Sequence, residues 1–184
     1  MYREVQRDGS GWAASRKETE MRMGNRLTQV LMLAFALGTG FAVTAPALNA
    51  QFVKRHLYEE NADPHALIAA ALKQAKAEHK RVLLDFGGDW CGDCQVLDIY
   101  FHDPENAPLL EKDFVVVHIF TDSHEEKNTE VAAQYGVPLG KGVPALAVLD
   151  ASGKVLHAQR TGEFNDMRHM ESASVHEFLL KWKT

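Results

Sequence analysis

Cysteine is almost absent from this chain. Its 184 residues hold two, Cys91 and Cys94, three positions apart. No second pair exists to build a structural disulfide, so the domain must rest on an ordinary hydrophobic core, which a chain of this length can bury. Basic residues are in no excess, with 20 Lys and Arg against 25 Asp and Glu and a formal net charge of −5, which leaves no nucleic-acid footprint. No apolar run reaches the roughly 20 residues that a membrane-spanning helix requires. Internal repeats and low-complexity segments are missing as well.

The charge is unevenly placed. Residues 1–50 carry six basic and four acidic side chains, whereas the remainder carries 14 and 21. Val30 to Val43 is uncharged, Arg22 and Arg26 precede it, and Ala45-Pro46-Ala47 and Asn49-Ala50 follow. A basic start, a short apolar stretch and an Ala-x-Ala site are the parts of a secretory signal peptide. The reading is therefore an N-terminal extension or misassigned start over 1–20, a signal peptide over 21–50 and one globular domain over 51–184. Cleavage after Ala47 fits the small-residue rule best, and an uncleaved membrane anchor is the alternative. No Cys follows the apolar stretch, which excludes a lipid-modified cysteine there. The expected location is periplasmic or secreted, with no stable membrane span once the leader is removed.

Within the mature chain, Phe52 to Glu60 reads as a short strand or extended arm. Asp63-Pro64 marks a helix start, Asp as N-cap and Pro in the first turn, and Ala66, Leu67, Ala70, Ala71, Leu72 and Ala75 continue at helical spacing. Val82 to Phe86 is an apolar run with one acid inside, as in a buried central strand. Gly87-Gly88 ends it, and Trp90-Cys91-Gly92-Asp93-Cys94 leads into a helix through Val96 to Phe101. Phe114 to Thr121 predicts a second strand and Glu125 to Tyr135 a helix stopped by Gly136. Ala145–Leu149 and Lys154–Ala158 flank the turn Asp150-Ala151-Ser152-Gly153 as a hairpin. Ser172 to Trp182 closes the chain as an amphipathic helix.

Strand, turn, CxxC, helix is the order that places a first cysteine at a helix N-terminus. There the helix dipole favours a thiolate on Cys91 and lowers its pKa below the free value of about 8.5. Cys94, one turn further in, supplies the second thiol that resolves a mixed disulfide. Trp90 stands beside the pair as an apolar wall. Half of a zinc site also reads CxxC, but zinc needs about four ligands, and neither a second Cys pair nor a matching His pair is present; His65, His79 and His169 read as solvated. No metal or other cofactor is expected.

Phe86-Gly87-Gly88-Asp89-Trp90-Cys91-Gly92-Asp93-Cys94 resembles the active-site segment of thioredoxins, and the likeness runs from about residue 65 to 182. It implies the thioredoxin fold, an α/β architecture with a central mixed sheet flanked by helices. The family carries a buried Asp six residues before its first cysteine, which assists proton transfer at the buried cysteine; Asp85 stands at that spacing. Burial among Val82, Leu83, Leu84 and Phe86 would disfavour the charged form of such an acid. The family also carries a cis-proline facing the cysteines, matched by Val143-Pro144 ahead of a strand, and Val143 would offer its backbone to an extended substrate beside Trp90 and Pro144. The chain is similar to secreted thioredoxin-like proteins and to the C-terminal periplasmic domain of membrane thiol:disulfide interchange reductases, which share the Asp-Trp-Cys start and a segment like Phe101-His102-Asp103-Pro104.

Three departures stand out. Asp93 replaces the usual Pro before the second Cys, His118 falls where thioredoxins place a Lys beside the buried Asp, and Leu139-Gly140-Lys141 lengthens the loop before Pro144. Asp89, Asp93 and Asp98 near Cys91 would disfavour its thiolate and give a reducing couple. His118 is either a proton relay or an inward strand histidine satisfied by the core. The expected function is thus a periplasmic reductase of protein disulfides, resupplied with electrons by a membrane thiol:disulfide donor. The alternatives are a disulfide oxidase or isomerase, a copper-handling assembly module using the two cysteines as soft ligands, and a binding domain with idle chemistry.

Overall fold

The computed structural model describes residues 53–184, and the expectations for the leader and its upstream extension fall outside them. Four strands form one mixed sheet in the order β2-β1-β3-β4. β1 (Arg81–Gly87) and β2 (Phe114–Phe120) pair in parallel, and β3 (Ala145–Leu149) runs antiparallel to both β1 and β4 (Val155–Ala158). Every residue of β1 after Arg81 is buried, which is why its sequence is a continuous apolar run rather than an alternation.

Helices cover both faces. α1 (Pro64–Glu78) lays Ile68, Ala71 and Ala75 against Val82, Leu84, Phe86, Val117 and Ile119, with Val131 and Ala132 of α4 (Thr129–Gln134) in the same cluster. α2 (Gly92–Phe101), α3 (Ala107–Asp113) and α5 (Ser172–Trp182) cover the other face, where Leu97, Phe101, Leu110, Val175 and Leu179 pack on Leu83, Leu146 and Val148. This is the expected thioredoxin fold.

Local signals account for several boundaries. The Asp63 side chain accepts from the His65 N–H and Pro64 opens α1, which ends with His79 at φ 56°. In the hairpin, Asp150 Oδ1 accepts from the Ser152 and Lys154 N–H groups, and Gly153 takes φ 88°.

Three segments differ from expectation. The predicted helix from Glu125 starts only at Thr129, because Glu125 and Asn128 sit in the left-handed region and Asp122 gathers the His124, Glu126 and Lys127 amides into a loop. α3 is an added helix of seven residues, too short to show a periodicity, with Pro108 in its first turn. Leu139–Lys141 is a single 3₁₀ turn. The segment from Val53 onward is an extended arm rather than a strand, and it pairs with no strand of the sheet.

Candidate active site

Cys91 is the N-cap of α2, and the Cys94 N–H points at its Sγ from 3.1 Å. The two cysteines form a disulfide, and both are nearly inaccessible, Cys91 at 5 % and Cys94 at 1 % exposure. The Val143 carbonyl oxygen lies 3.6 Å from Cys91 Sγ. The Val143–Pro144 peptide is cis, and both residues are buried at the entry to β3. Trp90 is 41 % exposed, yet its indole N–H donates to the Thr121 carbonyl at 2.8 Å, which fixes the ring beside the cysteines. The structure therefore gathers Trp90, Cys91 and Val143–Pro144 at one end of the sheet.

Asp85 is 2 % exposed on β1, opposite His118 in the β2 register. Its Oδ2 accepts from the Tyr58 hydroxyl at 2.8 Å and lies 2.8 Å from His118 Nδ1. Its Oδ1 is buried with no hydrogen-bond partner. Burial works against a charge on His118, but the hydrogen bond and charge of Asp85 outweigh it and raise the imidazole pKa. Burial, reinforced by Asp85, pushes the Tyr58 hydroxyl well above the ordinary tyrosine value.

The acids around Cys91 are not the uncompensated cluster expected from sequence. Asp93, at 7 % exposure, accepts from the Arg168 backbone N–H and pairs with its guanidinium at 2.9 Å. Asp98 pairs with Arg55 at 2.7 Å. Asp89 Oδ1 accepts from the Leu57 and Tyr58 amides, and its Oδ2 lies 2.5 Å from His56 Nδ1. Burial opposes the Asp89 charge, but those amides and His56 win and lower its pKa. Each carboxylate thus has a partner that offsets its field at Cys91.

Sequence reasoning missed Tyr58, Arg55, His56 and Arg168. The first three lie on the arm, which α2 also holds through reciprocal bonds between the Gln95 amide and the Arg55 backbone. Arg168 reaches Asp93 across 75 positions. No local pattern encodes such contacts. Tyr58 packs against Gly87, where a Cβ would come within 2.7 Å of both the Tyr58 hydroxyl and Cys94 Sγ.

A family model described as thioredoxin-like matches residues 63–151. The solved structure of a disulphide isomerase from Xylella fastidiosa is 34% identical, covers 70% of this chain and 98% of its own, and superposes with a TM-score of 0.65. Thiol:disulfide interchange protein DsbD of Vibrio vulnificus is 30% identical over 131 residues, 66% of this chain and 21% of that protein. A protein disulfide-isomerase of Ricinus communis is 30% identical over 96 residues, 52% of this chain and 18% of that protein. The chain spans about a fifth of the length of these curated relatives. With its mixed sheet, its flanking helices and a CxxC pair at disulfide distance, the chain belongs to the thioredoxin-like family.

Proposed function

We propose that this protein is an exported thiol–disulfide oxidoreductase that reduces protein disulfides. Cys91 attacks a substrate disulfide, Cys94 attacks the resulting mixed disulfide, and the reduced substrate leaves. Asp85 takes part in proton transfer at Cys94. Trp90, Val143 and Pro144 form the surface on which an extended polypeptide would lie, with the Val143 backbone beside the attacking sulfur.

The surroundings of Cys91 Sγ carry the reducing direction. A strong oxidant owes its potential to a stabilised reduced form. Here the sulfur has one backbone N–H and a helix N-terminus in its favour, while the Val143 carbonyl turns its negative end toward it. Among the described residues no cationic side chain hydrogen-bonds that sulfur. A thinly stabilised thiolate supports a couple near the reducing end of the scale, and with Asp89, Asp93 and Asp98 paired it is this backbone environment, not acidic crowding, that disfavours the thiolate. A reducing protein in an oxidising compartment needs resupply, which supports a membrane thiol:disulfide donor. The signal-peptide reading of residues 21–50 supports export; among the described residues no helix is long and apolar enough to cross a membrane.

Isomerisation is the second reading, favoured by the name of the Xylella relative. Against it, the arm that could serve dimerisation is spent on the domain's own α2 and Asp89. One pair of assays separates the two. Cys94→Ser should trap substrate proteins as mixed disulfides on Cys91. The wild-type protein with a dithiol supply should reduce a stable protein disulfide, while adding little to the refolding of a scrambled disulfide protein. Efficient unscrambling with weak reduction would move the assignment to isomerase, and no trapped species would refute both.

A further inference from the structure

Tyr58 comes from the arm, outside the βα framework, yet it is completely buried behind Cys94. Gly87 is what lets it in. A Cβ there would stand 2.7 Å from the Tyr58 hydroxyl and 2.7 Å from Cys94 Sγ, so the two atoms are no more than twice that distance apart. The hydroxyl thus stands near the sulfur across the Gly87 backbone and donates to Asp85 on its other side. Asp85 then touches His118, whose side chain is 25% exposed and stacks edge-on with Tyr58 at 5.1 Å between ring centres.

His118 opens outward. It borders a surface hollow of about 320 Å³ with Leu57, Glu59, Leu67, Ala70 and Gln74, and a second one with Asp98, His102 and Glu111. Both lie at β2, the sheet edge on the far side of β1 from β3, which Val143–Pro144 leads into. We propose that Tyr58 carries the proton of Cys94 to Asp85 and that His118 passes it to water at this edge. Resolution then releases its proton away from the substrate.

The path presupposes the Cys91–Cys94 cycle. In that cycle two electrons pass from the dithiol to the substrate disulfide. Attack by the Cys91 thiolate breaks the substrate S–S bond, forms a mixed disulfide and frees the first substrate thiolate. The Cys94 S–H gives its proton to the Tyr58 oxygen as the Tyr58 O–H proton moves to Asp85. Cys94 sulfur then bonds to Cys91 Sγ, and the mixed disulfide breaks to free the second substrate thiolate. The proton leaves Asp85 through His118, entering at Nδ1 and departing from Nε2 to water. Tyr58 acts as a neutral hydroxyl that accepts and donates at once, in keeping with its raised pKa. The titratable groups facing His118 are Tyr58 and Glu59 of the arm, Asp85 of β1, Asp89 of the following loop, Asp98 of α2, His102 just beyond its end, and Glu111 of α3.

The test is stopped-flow reaction of the reduced protein with dithiobis(nitrobenzoate), across about pH 6 to 9, where His and Cys titrate. Attack by Cys91 releases one coloured thiolate, and resolution by Cys94 releases the second. Tyr58→Phe keeps the ring and removes only the hydroxyl. It should slow the second phase at least about tenfold at the acid end, a modest share of what general acid–base catalysis contributes, and leave the first phase unchanged. His118→Gln, at the solvent end, should slow the second phase and flatten its pH profile near neutrality. A second phase of wild-type rate and pH profile in both variants overturns the relay. So does equal slowing of both phases, which would make Tyr58 a packing residue. Wild-type protein that releases only one thiolate would instead refute the dithiol cycle itself.

Discussion

Asp89→Ala tests how the arm is held. The Asp89 side chain is 20% exposed and gathers the Leu57 N–H at 2.9 Å and the Tyr58 N–H at 3.2 Å on one oxygen. Hydrogen bonds to a charged acceptor contribute about 1.5–3 kcal/mol each, and their loss leaves two backbone donors without a partner. Partial exposure puts both at the lower end, so the variant should lose about 2–3 kcal/mol. The exposed contact with His56 adds nothing to this figure. For a domain of this size, 1 kcal/mol corresponds to about 4 °C, giving a fall in Tm of about 8–12 °C. Asp89→Asn keeps an oxygen for the two amides and should lose only about 1 kcal/mol. Thermal unfolding of the oxidised protein by circular dichroism gives the comparison, with coincident probes to check two-state behaviour. An Asp89→Ala protein within about 0.5 kcal/mol of wild type, the ordinary range for an unimportant surface change, would show that Asp89 does not hold the arm.

Four further outcomes are expected. His118 has its pKa raised in the folded state, so its stabilisation is complete below the unfolded value of about 6.5 and is lost as pH rises through the folded value. Urea unfolding from acid to alkaline pH should show that loss in wild type and a flatter course in His118→Gln; the His56–Asp89 contact is common to both and cancels. Gly87→Ala drives a methyl against the Tyr58 hydroxyl and Cys94 Sγ, and the unfolding free energy from denaturant titration should fall by about 1–3 kcal/mol. Asp93→Ala leaves the Arg168 backbone N–H without its acceptor and should cost about 2 kcal/mol by the same measurement. Because Asp93 and Arg168 offset each other, removing both together in a double variant should move the cysteine potential by less than about 30 mV, as equilibration with thiol buffers would report.

Elements with local signals were legible in the sequence. Asp63-Pro64 fixes the start of α1 through a side-chain cap and a ring, and Asp150 to Gly153 fixes the hairpin, each within five residues. The CxxC motif, Asp85 and Val143–Pro144 were legible as a resemblance, and the fold brings Asp85 to the rear of the cysteines and Val143–Pro144 to their front. Long-range pairing was not legible. Tyr58 reaches Asp85 over 27 positions and Arg168 reaches Asp93 over 75, and nothing in the spacing of a lone Tyr or Arg encodes a partner so distant. That blindness is also why the acids near Cys91 read as naked charge. Glu125 to Asn128 read as helix in the sequence for a different reason: these polar residues tolerate helical spacing, and only the side-chain bonds of Asp122 divert the backbone.

Whether Cys91 and Cys94 form a reducing dithiol couple with a thinly stabilised Cys91 thiolate is read from their redox potential. The protein is equilibrated with defined ratios of reduced and oxidised dithiol, quenched with acid, and its free thiols counted. A reversible two-electron couple is expected at or below about −250 mV, near the thioredoxin value of about −270 mV. A potential between about −120 and −180 mV, in the range of the oxidase and the isomerase, would contradict it.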